Sequence, residues 1–347
     1  MPLTDAIFKP LAERQLTRVA AANRSATFND MLLATSSAYL ELVRAEGELA
    51  IAREAVVNSE ELVRLLDARV RAGTAPPADG LRAQADLADR KRKVFKAEEL
   101  VYDASAELVR LLNLPPGMTV LPNEIQAVAI ELIDVKQPLP VLIGQGLTAR
   151  PEMAAHQAYI GATLDRLRQE EWSPLIPNVE VGFGAGGFGG GPGGFFGDFG
   201  NRTDFDALAV WELRGMGFGN AALVGERRGE HRQARLTVEQ TRNLIAAEVT
   251  RSYYQVRLRR QQIQAAEAQA RSATEALPLN FKGILGGQLR AIEALQAIDA
   301  LTAAQSQYLT SMMDYNRAQF QLLRAVGTPP KAPADDRCHT ARSRIRY

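Results

Sequence analysis

LVRAEGELAIAREAVVNSEELVRLLDARV, residues 42–70, places an apolar residue at every seventh position. Leu42, Leu49, Val56, Val63 and Val70 form one seam, and Ala45, Ala52, Ser59 and Leu66 stand three residues after its first four members. A sustained seven-residue spacing keeps one narrow stripe facing a partner helix, which is the coiled-coil arrangement. The next segment repeats it with Leu87, Val94, Val101 and Leu108, accompanied by Ala97, Ala104 and Leu111. Between them lies the breaker GTAPPADG at 73–80, so the chain reverses into an antiparallel hairpin. A helix from about Asp5 or Pro10 to Ala72 would be roughly 95 Å long, and its partner from 79 to 113 roughly 55 Å. Such rods are too long and narrow for one globular core and need neighbours.

The whole pattern occurs twice, at an offset of 214 residues, the separation of Gly73 from Gly287. At that offset Arg14 meets Arg228, Asn29 meets Asn243, Tyr39 meets Tyr253, Leu87 meets Leu301 and Leu108 meets Leu322, without a gap. The second seam reads Val256, Ile263, Ala270, Leu277 and Ile284, and its partner Leu301, Tyr308, Tyr315 and Leu322, with the breaker GILGG at 283–287. Each copy is about 100 residues, a duplicated unit and not a short solenoid period. The helices end at LNLPPG and VGTPP, where prolines forbid continuation.

Composition agrees: of 347 residues 46% are hydrophobic but only 6% aromatic, as expected of long helices packed through small side chains. A net charge of +1 provides no global attraction to nucleic acid or to an anionic surface. Cys338 is the single cysteine, which excludes a disulfide framework within one chain. His156, His231 and His339 lack partners at metal-ligand spacing, and no catalytic set can be assembled from nearby helical positions. We therefore expect neither an enzyme nor a cofactor. The basic cluster Arg227, Arg228, Arg232 and Arg235 is interleaved with Glu226 and Glu230 and has no aromatic company, so it reads as a solvated helix face and not as a nucleic-acid site.

Between the copies, PEMAAHQAYIGATLDRLRQEEW reads as a helix with Pro151 in its first turn. It leads to VEVGFGAGGFGGGPGGFFGDFG at 179–200. GFGAGG matches the phosphate-cradling pattern, but that mechanism needs a helix N-terminus directly after the glycines, and the Gly- and Phe-rich run that follows propagates none. A long glycine-rich loop between two strands is the better reading. Val179, Val181 and Phe183 alternate with Glu180 and Gly182 before it, and Phe205, Ala207, Ala209 and Trp211 alternate with Asp204, Asp206, Leu208 and Val210 after it. This is the weak signal of a membrane β-barrel strand. No run of 18 apolar residues exists for a spanning helix, and MPLTDAIFKPLAERQ has no apolar signal-peptide core.

Two long helical hairpins, TARPEM at 148–153, WSPLIPNVEVGFG at 172–184, LAVWELRGMGFGNAALVGE at 208–226 and DYNRAQFQLLRAVGTPP at 314–330, in this order, resemble the TolC-like outer-membrane efflux and secretion channels. The resemblance covers nearly all of residues 5–330. It implies a mainly α fold with a small β part: duplicated antiparallel coiled-coil hairpins of an α-barrel, plus one strand pair of an outer-membrane β-barrel. It divides the chain into a first hairpin repeat at 1–116, a connector at 117–150, a short helix and strand pair at 151–215 with the glycine-rich loop at 182–200, a second repeat at 216–330 and a disordered tail at 331–347. Counting back 214 residues from Gly215, just past the second strand, reaches Met1. The resemblance thus implies an N-terminally truncated chain, with two strands where the family pattern has four.

The implied function is a passive duct, the outer-membrane component of a tripartite efflux pump or type I secretion system. The implied partners are two further copies in a homotrimer, a periplasmic adaptor (membrane fusion protein), an inner-membrane pump and the outer-membrane lipid bilayer; the helices would lie in the periplasm. In the family's G-x-x-x-x-x-[DE]-x-L spacing, Gly73, Asp79 and Leu81 match in one copy and Gly287, Glu293 and Leu295 in the other. Asp79 and Glu293 are then periplasmic gate candidates, since carboxylate rings attract cations and narrow a pore. The residues alone equally describe two solvated acids favoured by a helix dipole. Where the family often has a second acid, Arg82 and Gln296 stand here. The tips Gly73, Thr74, Ala75, Pro76 and Pro77, and Leu285, Gly286, Gly287, Gln288 and Leu289, are adaptor-docking candidates or else plain turns. Trp172 and Trp211 flank the strand pair as a membrane-interface girdle or as ordinary packing. The competing function is a soluble antiparallel coiled-coil scaffold without transport activity.

Overall fold

The computed structural model describes residues 2–122, 128–189 and 200–327. The centre of the expected glycine-rich loop, Pro329, Pro330 and the expected tail at 331–347 lie outside the described residues. The elements are α1 (Leu3–Arg71), α2 (Pro77–Leu111), α3 (Leu139–Ala149), α4 (Pro151–Trp172), β1 (Asn178–Phe188), β2 (Gly200–Val210), α5 (Phe218–Leu285) and α6 (Ala291–Val326). By its internal contacts the chain divides into two units, one made of Met1–Ala26 with Arg150–Leu244 and one of Thr27–Ala149 with Ile245–Tyr347.

In the larger unit much of each seven-residue seam is in the core, but on α1 the buried stripe passes from Leu42 and Leu49 to Ala55 and Leu62, leaving Val56, Val63 and Val70 half-buried. Leu42, Ala45 and Leu49 of α1 bury against Ala97, Val101, Ala104 and Leu108 of α2. Toward the hairpin turns Leu62 and Leu66 of α1 and Ala83 of α2 meet Leu277 and Ile284 of α5 and Ala291, Ala294, Leu295, Ile298 and Leu301 of α6. All four long helices thus share one apolar layer, each fully buried leucine contributing about 1.5–3 kcal/mol. Helix α1 falls within two residues of its longer sequence reading, whereas the connector departs from it. The α1 helix starts at Leu3 and carries Pro10 within it. The expected connector contains α3, LPVLIGQGLTA, whose Gly144 and Gly146 argue locally against a helix. The helix forms there because a bare backbone fits: a Cβ on Gly146 would lie 3.0 Å from the Ala325 carbonyl oxygen and 3.2 Å from Val249 Cγ2.

The extended segment before α3 is tied to α6 by two buried amides. Asn316 accepts from the Ile130 backbone amide at 2.8 Å and donates to the Val128 carbonyl at 2.9 Å. Gln319 accepts from the amides of Leu132 and Ile133 at 3.3 and 3.1 Å. Side chains here stand in for a neighbouring strand and satisfy backbone that would otherwise be stranded.

In the smaller unit α4 is tied to the beginnings of α1 and α5 by Gln169 donating to Asp5 at 2.7 Å, Thr163 and His231 at 3.1 Å, and the Arg228–Glu171 ion pair at 3.0 Å. Strands β1 and β2 pair antiparallel in one register, from Asn178 with Val210 to Phe188 with Gly200. The ends of the loop expected at 182–200 are therefore strand. The ladder to Asn201, Arg202, Thr203 and Asp204 satisfies the glycine backbone and outweighs the low strand preference of Gly184, Gly186 and Gly187. Trp211 lies one residue beyond β2, outside the alternation expected for it. The return to α5 passes through Gly215, Met216 and Gly217, all at positive φ, with Asn220 accepting the Arg214 amide at 3.0 Å.

Candidate functional site

The two tips of the long hairpins match bond for bond. In the first, the Gly73 amide donates to the Val70 carbonyl at 3.0 Å and the Thr74 amide to that of Arg69 at 2.9 Å. In the second, Gly287 donates to Ile284 at 3.0 Å and Gln288 to Gly283 at 2.9 Å. This paired capping needs a left-handed residue just past the helix, and Gly73 and Gly287 supply it with φ of 70° and 71°. The following helices begin alike: the Asp79 amide donates to Pro76 at 3.0 Å and that of Glu293 to Arg290 at 3.1 Å. Both acids are half-buried third residues of helices without a side-chain cap.

Their surroundings differ. Asp79 faces the Arg82 guanidinium at 3.6 Å, whereas Glu293 has no ion-pair partner among the described residues. Leu81 is 67% exposed while its counterpart Leu295 is 6% exposed, in the shared core. A cleft of about 640 Å³ beside the first tip is lined by Arg69, Thr74, Asp79, Arg82, Leu289 and Arg290, and so brings residues of both tips together. Arg69 joins them directly: its guanidinium donates to the Ile284 carbonyl of α5 and to the Thr74 carbonyl at 3.2 Å. The sequence reading passed over Arg69, although the 214-residue offset marks it, setting it against Gly283.

The strand pair has two unlike faces. Register and alternation put Val179, Val181, Phe183 and Ala185 on the same face as Ala209, Ala207, Phe205 and Thr203. The other face holds Glu180, Asp204, Asp206 and Arg202, with Leu208 and Val210 at its α4 end. Gly182 stands opposite Asp206, whose carboxylate occupies the space a Cβ at 182 would take. Phe183 and Phe205, directly opposed, are each 72% exposed. Trp211 donates its indole N–H to the Leu175 carbonyl at 3.4 Å, and Trp172, half exposed, ends α4 at the start of the same segment.

Among the described residues no helix is long and apolar enough to cross a membrane, and no group of three His, Cys, Asp or Glu side chains is placed to hold a metal ion. The basic cluster on α5 is partly paired, Arg227 to Glu230 of the same helix at 2.9 Å and Arg228 to Glu171 of α4 at 3.0 Å. The hydrogen bond to Glu230 raises the Arg227 pKa above its ordinary value.

Solved structures similar in fold include outer-membrane channels. The outer-membrane channel OprN is 18% identical with a TM-score of 0.79, the match covering 91% of this chain and 70% of that one. VceC, an outer membrane protein of Vibrio cholerae, is 16% identical at a TM-score of 0.77, covering 91% and 74%. The open state of the Neisseria gonorrhoeae outer membrane channel MtrE is 17% identical at 0.73, covering 91% and 70%. At such identities the likeness is one of fold. No curated protein matches the chain in sequence. The family model for outer membrane efflux protein matches residues 142–328, more than half of the chain, from the helix before TARPEM through the second hairpin. The chain therefore belongs to the outer membrane efflux protein family.

Proposed function

We propose that this protein is the outer-membrane channel component of a tripartite efflux pump or a type I secretion system, a passive trimeric duct that docks to a periplasmic adaptor and draws its energy from an inner-membrane partner. The observation that carries the reading is the strand pair. Its apolar face, with Phe183 and Phe205, is exposed, and an isolated two-stranded sheet is marginal in water. Strands of 11 residues suit a tilted membrane crossing, and they survive in lipid only when a closed barrel leaves no edge. A closed barrel then needs further strands beside this pair, with the apolar face toward lipid and the Glu180, Asp204 and Asp206 face toward water. A soluble coiled-coil scaffold would leave the Phe183–Phe205 face without a partner.

Within this reading the paired tips, Gly73 to Pro76 and Leu285 to Gln288, are the adaptor-docking surface, because their identical backbone geometry presents two equivalent turns to one partner. Asp79 and Glu293 line the periplasmic entrance as gate residues. Glu293, free of an ion pair, carries the larger share of the attraction for cations, while Arg82 offsets Asp79. Trp172 and Trp211 belong to the interfacial girdle, each with an apolar ring beside the strand pair. The test is to express the chain together with the in-frame sequence upstream of Met1 and a signal sequence in a Gram-negative envelope, fractionate it, and record conductance in planar bilayers. A heat-sensitive trimer in the outer membrane that conducts ions is expected. A soluble periplasmic product with no conductance would sink the proposal.

A further inference from the structure

Arg90 is 2% exposed, yet it stands in an apolar seam. Positions 83, 90, 97 and 104 of α2 are all buried, and the other three are alanine. The guanidinium holds Asp86 of its own helix through Nε at 2.6 Å and Nη2 at 3.2 Å. The same Nη2 reaches across to Asp299 of α6 at 2.9 Å. Asp86 in turn accepts from the Ser59 hydroxyl of α1 at 3.1 Å. Four side chains thus tie both helices of the first hairpin to the second.

The duplication shows that packing does not require this hub. At the 214-residue offset Ser59, Asp86 and Arg90 become Ala273, Ala300 and Ala304, and Ala304 is completely buried. The same backbone position takes a methyl group in one repeat and a buried ion in the other. A buried charge is weak evidence for stability, and the best-attested use of a polar group in a helical seam is to specify register. The hub is also unequal: Asp86 is mostly covered, whereas the Asp299 side chain is 63% exposed. The bond between hairpins is therefore the one that water can replace, while the bonds to α1 and within α2 persist.

We infer that Arg90 is a positioning residue, a latch that fixes the axial register of the first hairpin against the second, so that the tips at Gly73 and Gly287 stay level and move as one piece. Its closed state has Arg90 on Asp299, and its released state keeps Arg90 on Asp86 with Asp299 hydrated. The inference concerns the helices alone and stands whether or not the chain conducts.

The test measures the distance between the tips by pulsed electron spin resonance, with spin labels at Ala72 and Gln288, both exposed, in a Cys338→Ser background and with labelled chains diluted in unlabelled ones. Asp299→Asn removes only the inter-hairpin ion pair and should broaden the distance distribution about twofold while the melting temperature barely moves. The combination Ser59→Ala, Asp86→Ala and Arg90→Ala imports the second repeat's alanines, leaves no stranded charge on α2, and should broaden it equally. Lys93→Gln, which removes a cation paired with Asp89 on α2, should leave it unchanged. A distribution in Asp299→Asn or in the triple variant that superimposes on the unsubstituted protein would overturn the latch. So would broadening that appears only in step with loss of helical signal.

Discussion

Gly73 shows how much one backbone angle decides. Its φ of 70° lies in the left-handed region, and beyond its two chain neighbours no described atom lies within 4 Å of the place a Cβ would occupy. Gly73→Ala is thus a test of conformational strain without steric clash, and we expect a loss of about 1–2 kcal/mol in chemical denaturation. Gly73→Asn should recover part of it, because asparagine tolerates this region better. Glu41 carries a different residue-scale prediction. The hydrogen bond from Arg44 is the main cause that holds its carboxyl below the ordinary value of 4.5, with Arg317 of α6 adding a second bond at 3.0 Å. A depressed acid stabilises the fold above its unfolded value, and the contribution is lost as pH falls through the folded one. The melting temperature should therefore drop more steeply below pH 4.5 in the unsubstituted protein than in Glu41→Gln. The tip glycines were legible from composition alone, since a glycine between two heptad runs has few other uses. Arg69 and Arg90 were not, because an arginine in a helical pattern reads as solvated until its neighbours are known.

At the scale of elements, the long helices and both reversals follow from spacing. A stripe repeating every seven residues has no stable place except against another helix, and Leu42, Leu49, Val101, Leu108, Val256, Ile263, Leu277, Ile284, Leu301 and Leu322 of the named seams are buried, whereas on α1 Ala55 and Leu62 are buried and Val56, Val63 and Val70 lie half-buried beside them. Helix α3 was invisible for the opposite reason. With two glycines in 11 residues its own preference opposes a helix, and only the groove beside Ala325, Val249 and Ile245 stabilises it. Gly146→Val should overpack that contact, where a backbone carbonyl cannot yield, and lower stability by about 1–3 kcal/mol. Gly144→Ala, with open space around it, should instead be neutral or stabilising when the same denaturation series is measured.

For the whole molecule, the strand pair is the part with an open apolar face among the described residues. The register puts Phe183 opposite Phe205 on a face that nothing among the described residues covers. If that face meets lipid, Phe183→Arg should cost about 2–4 kcal/mol near the bilayer centre, seen as loss of heat-sensitive trimer in outer membranes, while Gly184→Ser on the other face should be tolerated. Equal loss from both substitutions would argue against lipid on the apolar face.

The heptads, the 214-residue duplication and the breakers specify by themselves two helical hairpins with a strand pair between them, because periodicity is a local property written along the chain. The glycine-rich strand ends, α3, the amide clamp of Asn316 and Gln319, and the Arg90 hub were decided by tertiary structure. Each depends on a partner more than a hundred residues away or on a ladder across the sheet, and a hydrogen bond or a packed methyl group has no trace in the sequence until the fold brings its two halves together.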